Sequence, residues 1–286
     1  MRVLCLHGRG SNNEIFQMQT AAIRAELDDF EWEFVQGTVR HTEGNWSLYT
    51  TSFSNLPLYT YYNPLLPASI LQTEDELRHI IETEGPFDGV LGYSGGGGLA
   101  AQLIIKDCLA NPFALPHERP FRFAIFINAA SPLNCFDMET VDGTVSEDTG
   151  VTAAIMKEAS SMFLRPSAVR KKAGVDEADQ PDLESLQNAL QRLRGVVLPD
   201  GTPAFTDGVH GLTRFNEGCD DILIDIPTLH IRCKQEEDRH HGKHLYEMSE
   251  PSTAKEFHHG YGHDFPRGRI EIKKIAQLIR DTAELA

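Results

Sequence analysis

The run Gly89-Val90-Leu91-Gly92-Tyr93-Ser94-Gly95-Gly96-Gly97-Gly98-Leu99-Ala100 constrains this chain more than any other stretch. An apolar strand-like segment enters it, a helix-like run from Leu99 to Leu109 leaves it, and between them Gly92, Ser94 and Gly96 form G-x-S-x-G. Glycine on either side of the serine lets the backbone turn sharply and pass close to its neighbours without a Cβ clash. A strand-to-helix turn of this kind lifts the serine oxygen off the end of a sheet, where a nucleophile is needed. The bland reading is a flexible or phosphate-binding glycine loop. Phosphate binding calls for G-x-x-x-x-G-K-S/T or G-x-G-x-x-G, and neither pattern occurs here.

The rest of the chain repeats this alternation. Short apolar runs bounded by turn residues recur at Val3 to Leu6, Trp32 to Val35, Gly89 to Tyr93, Phe121 to Ile127, Pro227 to Ile231 and Ala254 to His258. Helical spacing groups Ile15, Met18, Ala22 and Ile23, then Leu77, Ile80 and Ile81, and near the end Ile275, Leu278, Ile279 and Thr282. Strands alternating with helices predict an α/β fold, with a mostly parallel sheet covered by helices on both faces. Apolar strands of this kind belong in such a sheet, because both of their faces are buried. Ser131 to Asp225 departs from the pattern. No convincing strand is visible there, while Val151 to Leu164 and Asp182 to Arg194 read as helical, punctuated by Gly143, Gly150, Pro166, Gly174 and the Pro199-Asp200-Gly201 turn. An excursion of roughly ninety residues between two sheet strands predicts a helical cap over the sheet rather than a linker. The expected division is a core of 1–130 and 226–286 with a cap insertion at 131–225.

Composition narrows the partners. With 286 residues, 41% hydrophobic and 24% charged, the chain has enough apolar material to bury a sizeable core. Lys and Arg number 26 against 42 Asp and Glu, a net charge of −16, which argues against nucleic acid or an anionic membrane and for a small or neutral substrate. No apolar run reaches the roughly 18 residues of a membrane span. Met1 to Leu6, followed by His7-Gly8, is too short for the apolar core of a secretory signal. The 5 cysteines contain no C-x-x-C, so neither a disulfide framework nor a zinc knuckle is expected. The expectation is a soluble, cytoplasmic protein.

A nucleophilic serine needs a base, an acid that orients the base, and donors for the developing oxyanion. His258-His259-Gly260-Tyr261-Gly262-His263-Asp264-Phe265-Pro266 offers three histidines. His263 lies on a loop before the last helix, where the base is expected, whereas His258 and His259 end a strand and read as packing or surface residues. His240, His241, His244, His258, His259 and His263 form a histidine-rich region, but no H-E-x-x-H or other tight ligand spacing appears, so no metal or other cofactor is expected. The acid belongs on the loop after Pro227 to Ile231, where Glu236, Glu237 and Asp238 all lie; counting from the strand favours Glu236, and two of the three must be a solvated acidic turn. The oxyanion hole combines the backbone N–H of Gly95 with one from Leu6-His7-Gly8-Arg9-Gly10-Ser11-Asn12-Asn13, where Arg9 is the candidate.

The chain order Ser94, Glu236, His263 is the Ser, acid, His order of α/β-hydrolases. Leu6-His7-Gly8, Gly85-Pro86-Phe87-Asp88-Gly89-Val90-Leu91-Gly92-Tyr93-Ser94, Ile226-Pro227-Thr228-Leu229-His230 and Gly262-His263-Asp264-Phe265-Pro266 together resemble the fungal FSH family of serine hydrolases. That family includes thioesterase-like hydrolases encoded beside polyketide synthases. Its members typically carry Gln where this chain has Gly95, and Asp, often after glycine, where Glu236 and Cys233 stand. The resemblance implies an α/β-hydrolase fold and an esterase or thioesterase that releases or edits a polyketide acyl chain, on a small molecule or a synthase carrier domain. A second reading is a non-hydrolytic cyclase using the same pocket for an aldol or Knoevenagel ring closure, and a third is an idle binding partner of the synthase. Arg165, Arg170, Lys171 and Lys172 form a basic patch in an acidic chain; it reads either as helix-terminal cations in water or as a surface for the carrier.

Overall fold

The computed structural model describes residues 1–41, 57–154, 191–215, 222–234 and 242–286. In chain order these form β1 (Arg2–Leu6), α1 (Asn13–Arg24), β2 (Glu31–Val35), β3 (Val39–Arg40), β4 (Tyr59–Thr60), α2 (Pro67–Glu84), β5 (Gly89–Tyr93), α3 (Gly95–Ala110), β6 (Phe123–Ile127), β7 (Leu133–Asp137), β8 (Ser146–Glu147), β9 (Arg194–Val197), β10 (Pro203–Thr206), β11 (His210–Arg214), β12 (Thr228–Cys233), α4 (Lys243–Glu247), β13 (Ala254–His259) and α5 (Arg269–Ala283). Among them, no helix is long and apolar enough to cross a membrane.

The six apolar runs of the sequence become one parallel sheet, in the order β13-β12-β6-β5-β1-β2. Alternate residues of each strand enter opposite cores. Val3, Cys5, Leu91, Ile125, Ile127, Leu229 and Ile231 pack with α1 and α5 through Phe16, Ile23, Ile275 and Ile279. Leu4, Leu6, Val90, Ala124 and Phe126 pack with α2 and α3 through Leu77, Leu99, Leu103 and Ile104. In β1, β5 and β6 neither face meets water, and apolar residues stand at odd and even positions alike, whereas β2 at the sheet edge exposes Glu31 and Glu33.

The sheet order also locates the functional end. From β1 the chain steps to β2 at one edge, then returns to build β5, β6, β12 and β13 on the other side. The order therefore reverses between the neighbouring strands β1 and β5. Right-handed crossovers in opposite directions leave a crevice outside the carboxyl ends of such a strand pair, the usual place for a ligand in an open α/β sheet.

The insertion differs from its expectation. Its described residues form a five-stranded antiparallel sheet, β7-β11-β10-β9-β8, where the sequence showed no convincing strand. These strands are two to five residues long. At Gly211 in β11 a Cβ would collide with the Phe136 ring on β7, so this glycine marks a close strand contact. Helix is described at 149–154 and 191–192. The remainder of the two predicted helical pieces lies outside the described residues, as does the basic patch of Arg165, Arg170, Lys171 and Lys172, and Arg194 opens β9 instead of closing a helix.

The second sheet docks on α2 and α3, with Cys135 and Leu212 packed against Ile70. A buried polar network ties the same elements. Glu74 on α2, 1% exposed, accepts hydrogen bonds from Gln102 Nε2 at 3.0 Å and Lys106 Nζ at 2.5 Å, both on α3. The Lys106 ammonium also donates to the carbonyl of Cys135 on β7 at 3.0 Å. A surface cleft of about 730 Å³ opens at the opposite end of the main sheet, between Phe87, Leu103 and Arg119. Ser94 does not line it.

Candidate active site

Ser94 stands between β5 and α3 with φ 50° and ψ −118°, a left-handed conformation that costs about 1–3 kcal/mol for a residue bearing a Cβ. Three backbone hydrogen bonds hold it there. The Ser94 N–H donates to Ile127 O at 3.0 Å, and the Ser94 carbonyl accepts from Gly98 N–H at 3.1 Å and Ala130 N–H at 2.9 Å. The motif glycines follow from the crowding around this turn. A Cβ on Gly92 would lie 2.5 Å from Gly97 Cα, and one on Gly96 would lie 2.5 Å from His7 O and 2.6 Å from the carbonyl carbon of Leu6. Only without those side chains does α3 start close enough to β1 and β5 to present the serine between them.

The structure brings His263 to the serine: its Nε2 lies 2.9 Å from Ser94 Oγ. The other two histidines of that segment lie in β13. His258 Nε2 is 3.3 Å from Glu256 Oε1, and His259 is buried, its Nδ1 accepting the Tyr261 N–H at 3.2 Å. Glu236, Glu237 and Asp238 lie outside the described residues, as do His240 and His241. They follow Cys233, the last residue of β12, whose register partner is His259 on β13. β12, which precedes the acidic segment in sequence, and β13, which precedes the His263 loop, are thus neighbouring strands. Among the described residues no group of three or more His, Cys, Asp or Glu is arranged to hold a metal ion.

The loop after β1 meets the start of α3. A Cβ built on Gly95 would sit 3.6 Å from Arg9 N, so the two backbone N–H groups named for the oxyanion hole are neighbours. Gly95 is also the first residue of α3, where N–H groups lack intrahelical partners and the helix dipole favours negative charge. The Arg9 side is held on several sides. His7 Nδ1 donates to Gly8 O at 2.8 Å, and its Nε2 accepts the Gly37 N–H at 3.0 Å, which fixes the neutral tautomer. Burial agrees, pushing the His7 pKa down from 6.5 to about 4. Tyr61 stacks on the His7 ring at 4.7 Å, accepts the His7 N–H at 2.9 Å, and donates to Val35 O. Further along the loop, Gly10 N–H donates to Tyr59 O, and Asn12 caps α1 by accepting the Ile15 N–H at 2.9 Å. Donors held this rigidly need little reorganisation when charge develops.

This arrangement, a strained serine against an imidazole at the strand ends, is the equipment of a serine hydrolase. A family model described as "Serine hydrolase (FSH1)" matches residues 1–275. The chain belongs to this family. Over 289 aligned residues it is 29% identical to "Hydrolase FUB4" of Fusarium oxysporum f. sp. lycopersici, covering 99% of this chain and 98% of that protein. It is also 29% identical over 276 residues to "Esterase FPY3" of Fusarium mangiferae, covering 95% and 91%. Among solved structures, a monoacylglycerol lipase from Paleococcus ferrophilus aligns with a TM-score of 0.47 at 10% identity, over 100% of this chain and 95% of that one. This FSH1-family member is a serine hydrolase of α/β-hydrolase fold.

Several residues at the FSH1 site escaped the sequence reading in their present roles. His7 was visible only as part of a His-Gly loop, and nothing local marked Tyr61 as its partner. Asn128, at the end of β6, has φ 42° and is 1% exposed. The one available signal is its residue type, since Asn tolerates a left-handed backbone better than most side chains do.

Proposed function

We propose that this FSH1-family hydrolase cleaves a carboxylic ester or thioester through an acyl-enzyme on Ser94. Its substrate in this reading is a polyketide acyl chain, small or carrier-bound, that the enzyme releases or edits in secondary metabolism. The observation that carries the mechanism is the 2.9 Å contact between His263 Nε2 and Ser94 Oγ at a strained strand-to-helix turn. His263 takes the Ser94 proton as the oxygen attacks the acyl carbonyl carbon, and the carbonyl electrons move onto oxygen, facing the N–H groups of Arg9 and Gly95. When the carbonyl re-forms, the C–S or C–O bond breaks and the leaving group receives the proton from His263. Water, deprotonated by the same imidazole, then resolves the acyl-enzyme. The orienting carboxylate in this reading is one of Glu236, Glu237 and Asp238, with Glu236 favoured.

The acyl-chain assignment rests on the resemblance to thioesterase-like FSH hydrolases and on relatives named as hydrolase and esterase. Cys5, Cys108, Cys135 and Cys233 are free thiols, in keeping with a cytoplasmic setting. Ser94→Ala and His263→Ala should each abolish turnover of nitrophenyl esters and soluble thioesters, with losses that do not add in the double variant. Fluorophosphonate labelling that persists in Ser94→Ala overturns the nucleophile assignment. Products formed in ¹⁸O-water separate hydrolysis, which carries the label into the acid, from ring closure, which does not. Faster cleavage of a carrier-bound than of a soluble polyketide thioester supports the carrier; equal rates remove it.

A further inference from the structure

Three successive backbone carbonyls of the histidine loop, those of Gly262, His263 and Asp264, accept hydrogen bonds from two side chains of the nucleophile's own framework. Tyr93 Oη donates to His263 O at 2.5 Å. Asn128 Nδ2 donates to Asp264 O at 3.1 Å and to Gly262 O at 3.4 Å. Tyr93 is bonded in sequence to Ser94, and Asn128 follows Ile127, whose carbonyl accepts the Ser94 N–H. Asn128 also reaches the third strand of the site: its Oδ1 accepts the Cys233 N–H at 3.2 Å, and its own N–H donates to Ile231 O at 2.8 Å. One buried amide therefore links the end of β6, the end of β12 and the loop that carries His263. The Tyr93 ring closes the same unit from the side, with centroids 5.4 Å from His263 and 4.6 Å from Phe265.

Stability alone does not call for these donors. Gly262, His263 and Asp264 are half-buried as residues, and at such positions water is an alternative partner for a backbone carbonyl. What water cannot supply is a fixed distance between this loop and the serine. The geometry points to Tyr93 and Asn128 as positioning residues that hold the His263 loop, by its backbone, in register with Ser94. The inference rests on His263 being the base of the proposed mechanism, and it concerns residues that touch neither substrate nor reacting atoms.

Three variants test it: Tyr93→Phe, which removes one oxygen; Asn128→Asp, which keeps the Cys233 acceptor but sets a carboxylate against two carbonyls; and their combination. Rates on a nitrophenyl ester are expressed per fluorophosphonate-titrated site, so unfolded protein drops out. Tyr93→Phe should lower kcat roughly tenfold with KM nearly unchanged. Asn128→Asp should lower it on the order of 100-fold and move the acid limb of the pH profile upward, because the new charge favours the imidazolium. Since both residues hold one loop, the double variant should lose clearly less than the product of the single losses. Wild-type kcat per titrated site in Tyr93→Phe, or multiplicative losses with an unmoved pH limb, overturns the inference; if Asn128→Asp does not fold, Tyr93→Phe decides alone. Failure of the hydrolase mechanism itself would look different, as wild-type protein that neither labels nor turns over.

Discussion

Replacing Gly96 with alanine places a methyl group 2.5 Å from the carbonyl oxygen of His7 and 2.6 Å from the carbonyl carbon of Leu6. Relaxed carbon contacts lie at about 3.5–4.0 Å, so the start of α3 and the end of β1 must part by about 1 Å. Both obstacles are backbone, so no side-chain rotation relieves them. Overpacking of this size costs about 1–3 kcal/mol of stability. The kinetic effect should be larger. The displaced end of β1 leads into Arg9, whereas Gly95 moves with α3, so the two N–H groups proposed for the oxyanion hole separate. Loss of one such donor costs about 3–4 kcal/mol of transition-state stabilisation, or on the order of 100- to 1000-fold in kcat. Urea unfolding measures the first quantity, and single-turnover acylation by a nitrophenyl ester, scaled to folded protein, measures the second. Gly260→Ala is the matched control for stability, because nothing lies within 4 Å of the added methyl. A Gly96→Ala protein with wild-type unfolding midpoint and acylation rate would refute the packing of α3 against β1 and the hole derived from it.

The triad acid is open to direct comparison: of Glu236→Gln, Glu237→Gln and Asp238→Asn, one alone should lose kcat by on the order of 10⁴-fold, and Glu236 is the expected one. Near-normal rates in all three place the orienting carboxylate on another segment. Stability should fall with acidity, because burial pushes His7 from 6.5 down to about 4 and His230 down to about 3. The unfolded chain takes up these protons first, so the contribution is complete above about pH 6.5 and is lost as pH falls toward 4, about 3 kcal/mol for His7 alone. Urea midpoints at pH 7, 5.5 and 4.5 report this, and a flat series contradicts it.

The strands β1, β5 and β6 were legible because burial on both faces leaves its mark as uninterrupted apolar runs. Helix faces were read less well. Periodicity grouped Met18 and Ala22 with Ile15 and Ile23, yet Met18 is 49% exposed and the buried stripe of α1 is Ile15, Phe16, Thr20 and Ile23. Thr20 goes inside because its hydroxyl donates to Phe16 O at 2.7 Å, a local bond that no hydrophobicity scale registers. In the insertion, strands of two to five residues offered too few alternations to be seen. At the site, Ser94 was readable from the glycines that its turn requires within two residues on either side. Asn128 was not, since its partners Cys233 and Asp264 lie 105 and 136 residues away. Contacts of that range leave no pattern in one sequence.

The Glu74 network makes the insertion a poor candidate for exchange between relatives. Lys106 is shared: one hydrogen bond goes to the carboxylate on α2 and another to the backbone of β7. A graft of 131–225 whose first strand presents no carbonyl at the place of Cys135 strips this ammonium of a partner at the seam. Trimming Lys106 to suit the graft strands Glu74 in the core, and an orphaned buried charge costs about 3–5 kcal/mol. Replacing both charges by apolar residues of matching volume escapes that cost, but Gln102, which is fully buried on the helix that begins after Ser94, then needs a new acceptor. Diversification of this segment is therefore expected to travel with compensating changes on α2 and α3, so that a lineage altering this insertion rewrites part of its core as well.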